Sequence, residues 1–233
     1  MPISREGNYL VSQDMTEVPS IGIESANLDA CIREAIAHPY KSVFGSPAFG
    51  FFEESLDALG ELPHLEYLWF WDIVLKNIDA IYTLSELKSF GVHDKRPAID
   101  FSCLRSLRKM VWVYKSTDKG ISSLQLERLH VWRYSAKSKS FAGLQTPDTL
   151  EELEINWANP RTLEGLTPIS GLRRLQIHHC RNLESLATLH DLFPQLEHLV
   201  VGACGRIDPR EGARLAEAMP SLTHAFLNGK KLV

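Results

Sequence analysis

Residues 65–86 read LEYLWFWDIVLKNIDAIYTLSE, and residues 150–171 read LEELEINWANPRTLEGLTPISG. In both stretches apolar residues occupy positions 1, 4, 6, 9, 11, 14, 17 and 20 of a 22-residue unit. Positions 1, 4 and 6 cannot share one face of a helix, whereas the alternation between positions 4 and 6 suits a short β-strand. The two stretches therefore predict a repeated unit that is built around a strand.

Six further copies keep the opening pattern of apolar residues at positions 1, 4 and 6. The eight units begin at Leu65, Leu87, Leu107, Leu126, Leu150, Leu172, Leu196 and Leu222. One unit cannot bury its apolar side alone, so the strands are expected to stack in parallel, about 4.8 Å apart, over one shared core. We predict a parallel sheet of about eight strands.

This pattern resembles the leucine-rich repeat family, whose unit is written LxxLxLxx(N/C)xL, and the two regular units resemble its 22-residue internalin-like class. The resemblance covers residues 65–233. It implies an α/β repeat fold, a leucine-rich repeat solenoid with a curved parallel β-sheet. We also expect a non-catalytic protein-binding function on the concave sheet face, and that expectation rests on the outward side chains described below. The ninth position departs from the family pattern, because only Cys180 and Cys204 fit it. The resemblance implies that both cysteines are core residues.

Residues 1–64 do not fit the unit, and we predict that they form an N-terminal α/β cap over the end strand of a solenoid at 65–233. A separate small domain is the alternative. Residues 27–39 have helical periodicity, residues 41–45 suit an edge strand, and residues 51–63 suit a second helix. The first dozen residues are expected to be disordered.

A later helix is predicted within residues 208–220, which read DPREGARLAEAMP. Asp208 is expected at the N-cap and Pro209 at the first helical position. Pro220 should end the helix, because proline lacks the amide hydrogen that a helix interior requires.

The strand register separates core side chains from displayed ones. Phe70 occupies position 6 and should point into the core, whereas Tyr67, Trp69 and Trp71 occupy positions 3, 5 and 7 and should face outward. An alternative is that Trp69 and Trp71 are buried under the N-terminal cap. Tyrosine, tryptophan and arginine are enriched in interface hot spots, so the displayed residues predict a partner-binding surface. Its predicted members are Tyr67, Trp69, Trp71, His93, Tyr114, Arg128, His130, Trp132, Arg133, Trp157, Arg174 and His178.

Charge is unevenly distributed along a chain whose formal net charge is −4. Residues 1–61 carry ten acidic and three basic residues, whereas Arg105–Lys139 carry nine basic and two acidic ones. The basic stretch favours a protein partner with an acidic patch. Nucleic-acid binding at Arg105–Lys139 is the weaker alternative, because a net-negative chain repels phosphate elsewhere. An inhibitor or immunity-type role and a scaffolding or regulatory adaptor role both remain open.

The sequence lacks the motifs of several enzyme classes. It has no glycine-rich phosphate loop, no nucleophile elbow and no paired-cysteine zinc spacing, so we predict no catalytic, cofactor or metal site. A three-histidine metal site from His178, His198 and His224 is the alternative. It is disfavoured because Arg174 lies in the same column and would repel a cation.

The four cysteines lie far apart, and the N-terminus has no apolar segment of a secretory signal. We therefore expect reduced, buried cysteines and a cytoplasmic protein. The sequence also contains no run of eighteen apolar residues, so no membrane span is predicted.

Overall fold

The computed structural model describes residues 3–13, 15–208 and 210–233. It divides into two compact units, Met1–Lys109 and Met110–Val233. The described residues contain the strands β1 (Ile3–Glu6), β2 (Tyr9–Ser12), β3 (Ser20–Gly22), β4 (Ser42–Gly45), β5 (Tyr67–Phe70), β6 (Ser89–Val92), β7 (Lys109–Val113), β8 (Arg128–Trp132), β9 (Glu152–Asn156), β10 (Arg174–His178), β11 (His198–Gly202), β12 (His224–Leu227) and β13 (Lys230–Lys231). We call Met1–Lys109 the first unit and Met110–Val233 the second unit.

Helices are few and short. The α-helices are α1 (Leu28–Ala37), α2 (Leu189–Leu192) and α3 (Glu211–Ala218). Most other arcs between strands are single 3₁₀ turns, at Ser25–Asn27, Pro47–Phe49, Asp57–Glu61, Asp79–Thr83, Phe101–Cys103 and Ile121–Ser123. In the ranges that the structure describes, no helix is long and apolar enough to cross a membrane.

The predicted strand of every repeat is confirmed. β5 to β12 each begin at position 3 of a repeat, as Tyr67 does in the repeat that starts at Leu65. Within the second unit the position-4 residues Leu153, Leu175 and Leu199 lie opposite one another on parallel strands, and each is at most 1% exposed. Each unit therefore has the leucine-rich repeat architecture. The described residues hold thirteen strands rather than about eight, because further strands precede Leu65 and one follows Leu227.

The first unit extends the parallel ladder toward the N-terminus. Ile21 of β3 lies opposite Val43 of β4, and Val43 lies opposite Leu68 of β5. The predicted edge strand at residues 41–45 is therefore an interior strand with a neighbour on each side. β1 and β2 form an antiparallel hairpin next to β3, so the expectation of disorder over the first dozen residues is wrong for those that the structure describes. The capping role of residues 1–64 stays a prediction.

The predicted helices have mixed outcomes. α1 confirms the helix predicted within residues 27–39, but residues 51–63 contain only the 3₁₀ turn Asp57–Glu61. α3 begins at Glu211, later than predicted, because the Asp208 carboxylate accepts the Arg210 backbone N–H at 2.9 Å and forms a turn ahead of the helix. α3 ends at Ala218, before Pro220. The position predicted for Pro209 lies outside the described residues.

Position 9 contributes side chains to the core, as the resemblance implied for the two cysteines. Cys180 and Cys204 are both buried, and their Sγ atoms lie 3.4 Å from the backbone oxygens of His178 and Gly202. All four cysteines are free. Cys103 is exposed, which corrects the expectation that every cysteine is buried, because its 3₁₀ turn directs it outward.

Candidate functional site

The first unit covers one of the residues that were predicted to be displayed. Phe70 is fully buried, as predicted, but Tyr67 is only 7% exposed, so its predicted display is wrong. The Tyr67 hydroxyl donates to Glu17 Oε2 at 3.0 Å, and Lys109 forms an ion pair with the same carboxylate. Burial raises the pKa of the Tyr67 hydroxyl. Glu17 therefore covers Tyr67 at position 3 of β5, whereas Trp69 at position 5 of the same strand is half-buried.

Trp69 and Trp71 pack against their own unit. Their rings are stacked with centroids 5.1 Å apart and planes 10° apart, and both side chains are half-buried. Trp69 lies on the backbone of Gly91, where a Cβ atom would come within 2.2 Å of Trp69 Cε3. Trp71 meets His93 edge-on at 5.4 Å, and His93 is 8% exposed. These rings form a packed cluster, and His93 is buried rather than displayed.

The second unit leaves the outward face of its strands open. The odd positions of β8, β10 and β11 are half-buried or exposed, while the even positions are buried. Asn156 of β9 is an exception at 4% exposure. We call this surface the β8–β11 face, and its members used below are Arg128, His130, Trp132, Glu152, Glu154, Arg174, Gln176 and His178. Five of the predicted partner-binding residues lie on it: Arg128, His130, Trp132, Arg174 and His178.

Charges of opposite sign alternate across this face. Arg128, Glu152 and Arg174 are direct neighbours on successive parallel strands. Glu152 Oε2 lies 3.4 Å from Arg128 Nε and 3.9 Å from Arg174 Nη1. His130 Nε2 lies 3.6 Å from Glu154 Oε2, and Asn156 Nδ2 donates to Glu154 Oε1 at 2.6 Å. Exposed pairs of this kind contribute little to stability but fix the positions of the side chains.

Several cations of the basic stretch are engaged within their own units. Lys109 pairs with Glu17, Arg128 pairs with Glu152, and Arg108 Nη1 donates to the backbone oxygen of Leu107 at 2.9 Å. Beside β8–β10, a cleft of about 140 Å³ has an equal number of basic and acidic residues in its lining: Arg128, Arg173, Arg174, Glu151, Glu152 and Glu197. The stretch therefore does not present a uniformly positive surface in this part of the second unit.

The remaining predicted residues of the second unit lie just beyond the strands, at position 8. Arg133 and Trp157 adopt the left-handed backbone conformation, with φ of 60° and 57°. Trp157 is 46% exposed and stacks on His179, whose ring centroid is 4.2 Å away and whose plane is tilted by 12°. Tyr114 is half-buried and meets Tyr134 edge-on at 4.7 Å. His179 was missing from the predicted set, although its column in the repeat is that of Arg133 and Trp157.

The histidines of the second unit do not converge on one point. His178 Nε2 lies 3.3 Å from Gln176 Oε1, whereas the rings of His198 and His224 contact each other with centroids 5.6 Å apart. In the described ranges, no group of three histidine, cysteine, aspartate or glutamate side chains is arranged to hold a metal ion.

Solved structures that are similar to this chain include two leucine-rich repeat proteins of bacteria. An internalin from Listeria monocytogenes is 15% identical, with a TM-score of 0.46, and the match covers 88% of this chain and 71% of the internalin. A leucine-rich repeat protein from Leptospira interrogans is also 15% identical, with a TM-score of 0.37 and coverage of 80% of this chain and 61% of that one. Comparisons with protein-family models and with curated protein sequences gave no match.

Proposed function

We propose that this chain is a non-catalytic protein-interaction module whose partner docks on the β8–β11 face. One contrast carries the proposal. Tyr67 at position 3 of β5 is buried and bonded to Glu17, whereas Arg128 and Arg174 at the same position of β8 and β10 are exposed. Trp132, at position 7 of β8, is half-buried beside them. Tryptophan and arginine are enriched among the residues that contribute most of the binding energy at protein interfaces.

The pairing of charges favours a protein partner over a nucleic acid. A nucleic-acid site needs cations that are free to neutralise phosphates, whereas Arg128 and Arg174 share Glu152. A face with fixed charges of both signs can match the mixed charges of a protein surface. The four free cysteines support a reducing compartment such as the cytoplasm.

Site-specific photocrosslinking tests this proposal. A photoreactive phenylalanine analogue is placed at Gln176 on the β8–β11 face, and in a matched control at Ala187, an exposed position in the arc before α2. We expect one discrete protein adduct from position 176 in the native lysate and none from position 187. Adducts that form equally at both positions, or that disappear on ribonuclease or deoxyribonuclease treatment, would contradict the proposal.

The same adduct separates the two roles that are open for such a module. If the purified partner is an enzyme and this chain suppresses its turnover in proportion to occupancy, the module is an inhibitor or immunity-type protein. If the partner keeps its activity and binds a third protein at the same time, the module is a scaffolding or regulatory adaptor.

A further inference from the structure

Three successive repeats of the second unit present a row of left-handed residues at position 8. Arg133, Trp157 and His179 have φ of 60°, 57° and 58°. Their backbone N–H groups continue the parallel ladder, because each donates to the neighbouring strand, at 2.8, 3.0 and 2.9 Å respectively. The row is therefore a fixed part of the sheet edge rather than a loose loop. We call these three residues the position-8 ridge.

Trp157 is an unfavourable residue for its backbone conformation. The left-handed region suits glycine and asparagine, whereas a bulky side chain there is an outlier. Ala203, the equivalent residue in a later repeat, has the same conformation with φ of 56°, so the fold does not require a large ring at this position. A strained residue that also exposes 46% of its surface points to a function outside the fold.

The ridge combines a half-exposed aromatic ring with an exposed arginine. The ring of His179 stacks on Trp157, and Trp157 is still 46% exposed. Arg133 is exposed, and within the part of the chain that the structure describes its guanidinium makes no ion pair. This distinguishes Arg133 from Arg128 and Arg174, which share Glu152 on the adjacent face.

We infer that the position-8 ridge binds a segment of a partner protein that presents an acidic side chain beside a planar one. The carboxylate of the partner would form a bidentate ion pair with the Arg133 guanidinium, and the planar side chain would stack on Trp157. This inference rests on the proposed function and names the partner's chemistry at one edge of the face. A nucleotide also combines negative charge with a planar ring. It fits less well, because a phosphate backbone needs several cations that are not already paired, whereas Arg128 and Arg174 share Glu152.

Peptide selection on the intact chain tests the inference. A random twelve-residue peptide library on phage is selected against the wild-type chain and counter-selected against Trp157→Gly, in which glycine suits the left-handed backbone. We expect enriched peptides with aspartate or glutamate within two residues of an aromatic side chain. A synthetic consensus peptide should lose at least tenfold in affinity on Trp157→Gly and on Arg133→Glu, and Trp157→Phe should recover part of it.

Arg214→Glu on α3 is the control, because it reverses an equally exposed arginine away from the ridge. It should change the affinity of the consensus peptide less than twofold. The inference is overturned if the enriched peptides lack this pattern, if their affinity does not depend on Trp157, or if single-stranded RNA binds the ridge instead. Loss of peptide binding at the ridge with continued crosslinking at Gln176 would remove this inference alone. Loss of crosslinking at Gln176 would remove the proposed function.

Discussion

The carboxylate of Glu66 accepts a hydrogen bond of 2.5 Å from the ammonium group of Lys88 on the next repeat. Its other oxygen accepts one of 2.5 Å from Lys41 on the preceding repeat. The Glu66 side chain is 8% exposed, and the two lysines lower the pKa of its carboxyl group. One buried carboxylate thereby links three successive strand-containing segments of the first unit by hydrogen bonds.

Substitution of Glu66 should lower the free energy of unfolding by an amount that depends on pH. Glu66→Gln removes the negative charge and leaves one oxygen to accept from one of the two lysines, so we expect about 1–2 kcal/mol of destabilisation at pH 7 by urea denaturation. Because the folded pKa of Glu66 is lowered, its contribution is present above the unfolded value near 4.3 and is lost as the pH falls through the folded value. The two proteins should therefore converge in stability at low pH.

Glu184→Gln is the matched control for this prediction. Arg161 and Arg206 lower the pKa of the Glu184 carboxyl group in the same way, but the Glu184 side chain is 33% exposed, against 8% for Glu66. The loss should stay below about 1 kcal/mol, because water screens an exposed ion pair. Equal losses for the two variants would show that the burial of Glu66 does not matter.

The strand positions could be predicted because each repeat is a local pattern that the next repeat copies. Of the two parallel strands before Leu65, β3 was not predicted, and β4 was predicted as an edge strand but not as part of a repeat. Residues 18–23 read VPSIGI and carry apolar residues at positions 1, 4 and 6, so that signal was present. The following repeat has Gly45 at position 6, because a Cβ atom there would lie 2.5 Å from Phe70 Cε1. When the ring of a neighbouring residue fills a core position, the residue at that position is not a large apolar one. The sequence pattern of the repeat is then incomplete.

The exposure of outward residues could be predicted only in part. A period-2 pattern distinguishes inward from outward positions, but it cannot show which outward side chains a distant segment covers. Tyr67 is covered by Glu17, fifty residues earlier in the chain. The left-handed turn that displays Trp157 was also not apparent, because a bulky residue such as tryptophan does not favour that backbone conformation.

Because position 8 has a left-handed backbone, we expect that a glycine substitution there stabilises the protein. Ala203 is exposed with φ of 56°, so Ala203→Gly should raise the free energy of unfolding by several tenths to about 1 kcal/mol. Ala213→Gly in α3 is the control and should lower stability by about 1 kcal/mol, since glycine is a poor helix former. Urea midpoints measure both. A destabilised Ala203→Gly would mean that the turn is not left-handed in solution.

The packing of Trp69 against Gly91 predicts a steric clash when a side chain is added at Gly91 on the next strand. Gly91→Ala places a Cβ atom within 2.2 Å of Trp69 Cε3 and within 2.3 Å of Cζ3, so the indole must leave its position. We expect about 1–3 kcal/mol of destabilisation and a changed tryptophan emission spectrum. Gly171→Ala is the control, because a Cβ atom there meets no atom within 4 Å. Its stability should stay within about 0.5 kcal/mol of the wild type.

Thiol accessibility predicts two classes of cysteine. Cys103 is exposed, whereas Cys31, Cys180 and Cys204 are buried. Burial raises the pKa of the Cys31 thiol, and the hydrogen bond to Cys204 together with burial raises that of Cys180, so the reactive thiolate is suppressed at both. In the native protein at pH 8, an aromatic disulfide reagent should titrate one thiol per chain rapidly, and all four in urea. Cys103→Ser should abolish the rapid phase, and a rapid phase that survives this substitution would mean that one of the core thiols is open to solvent.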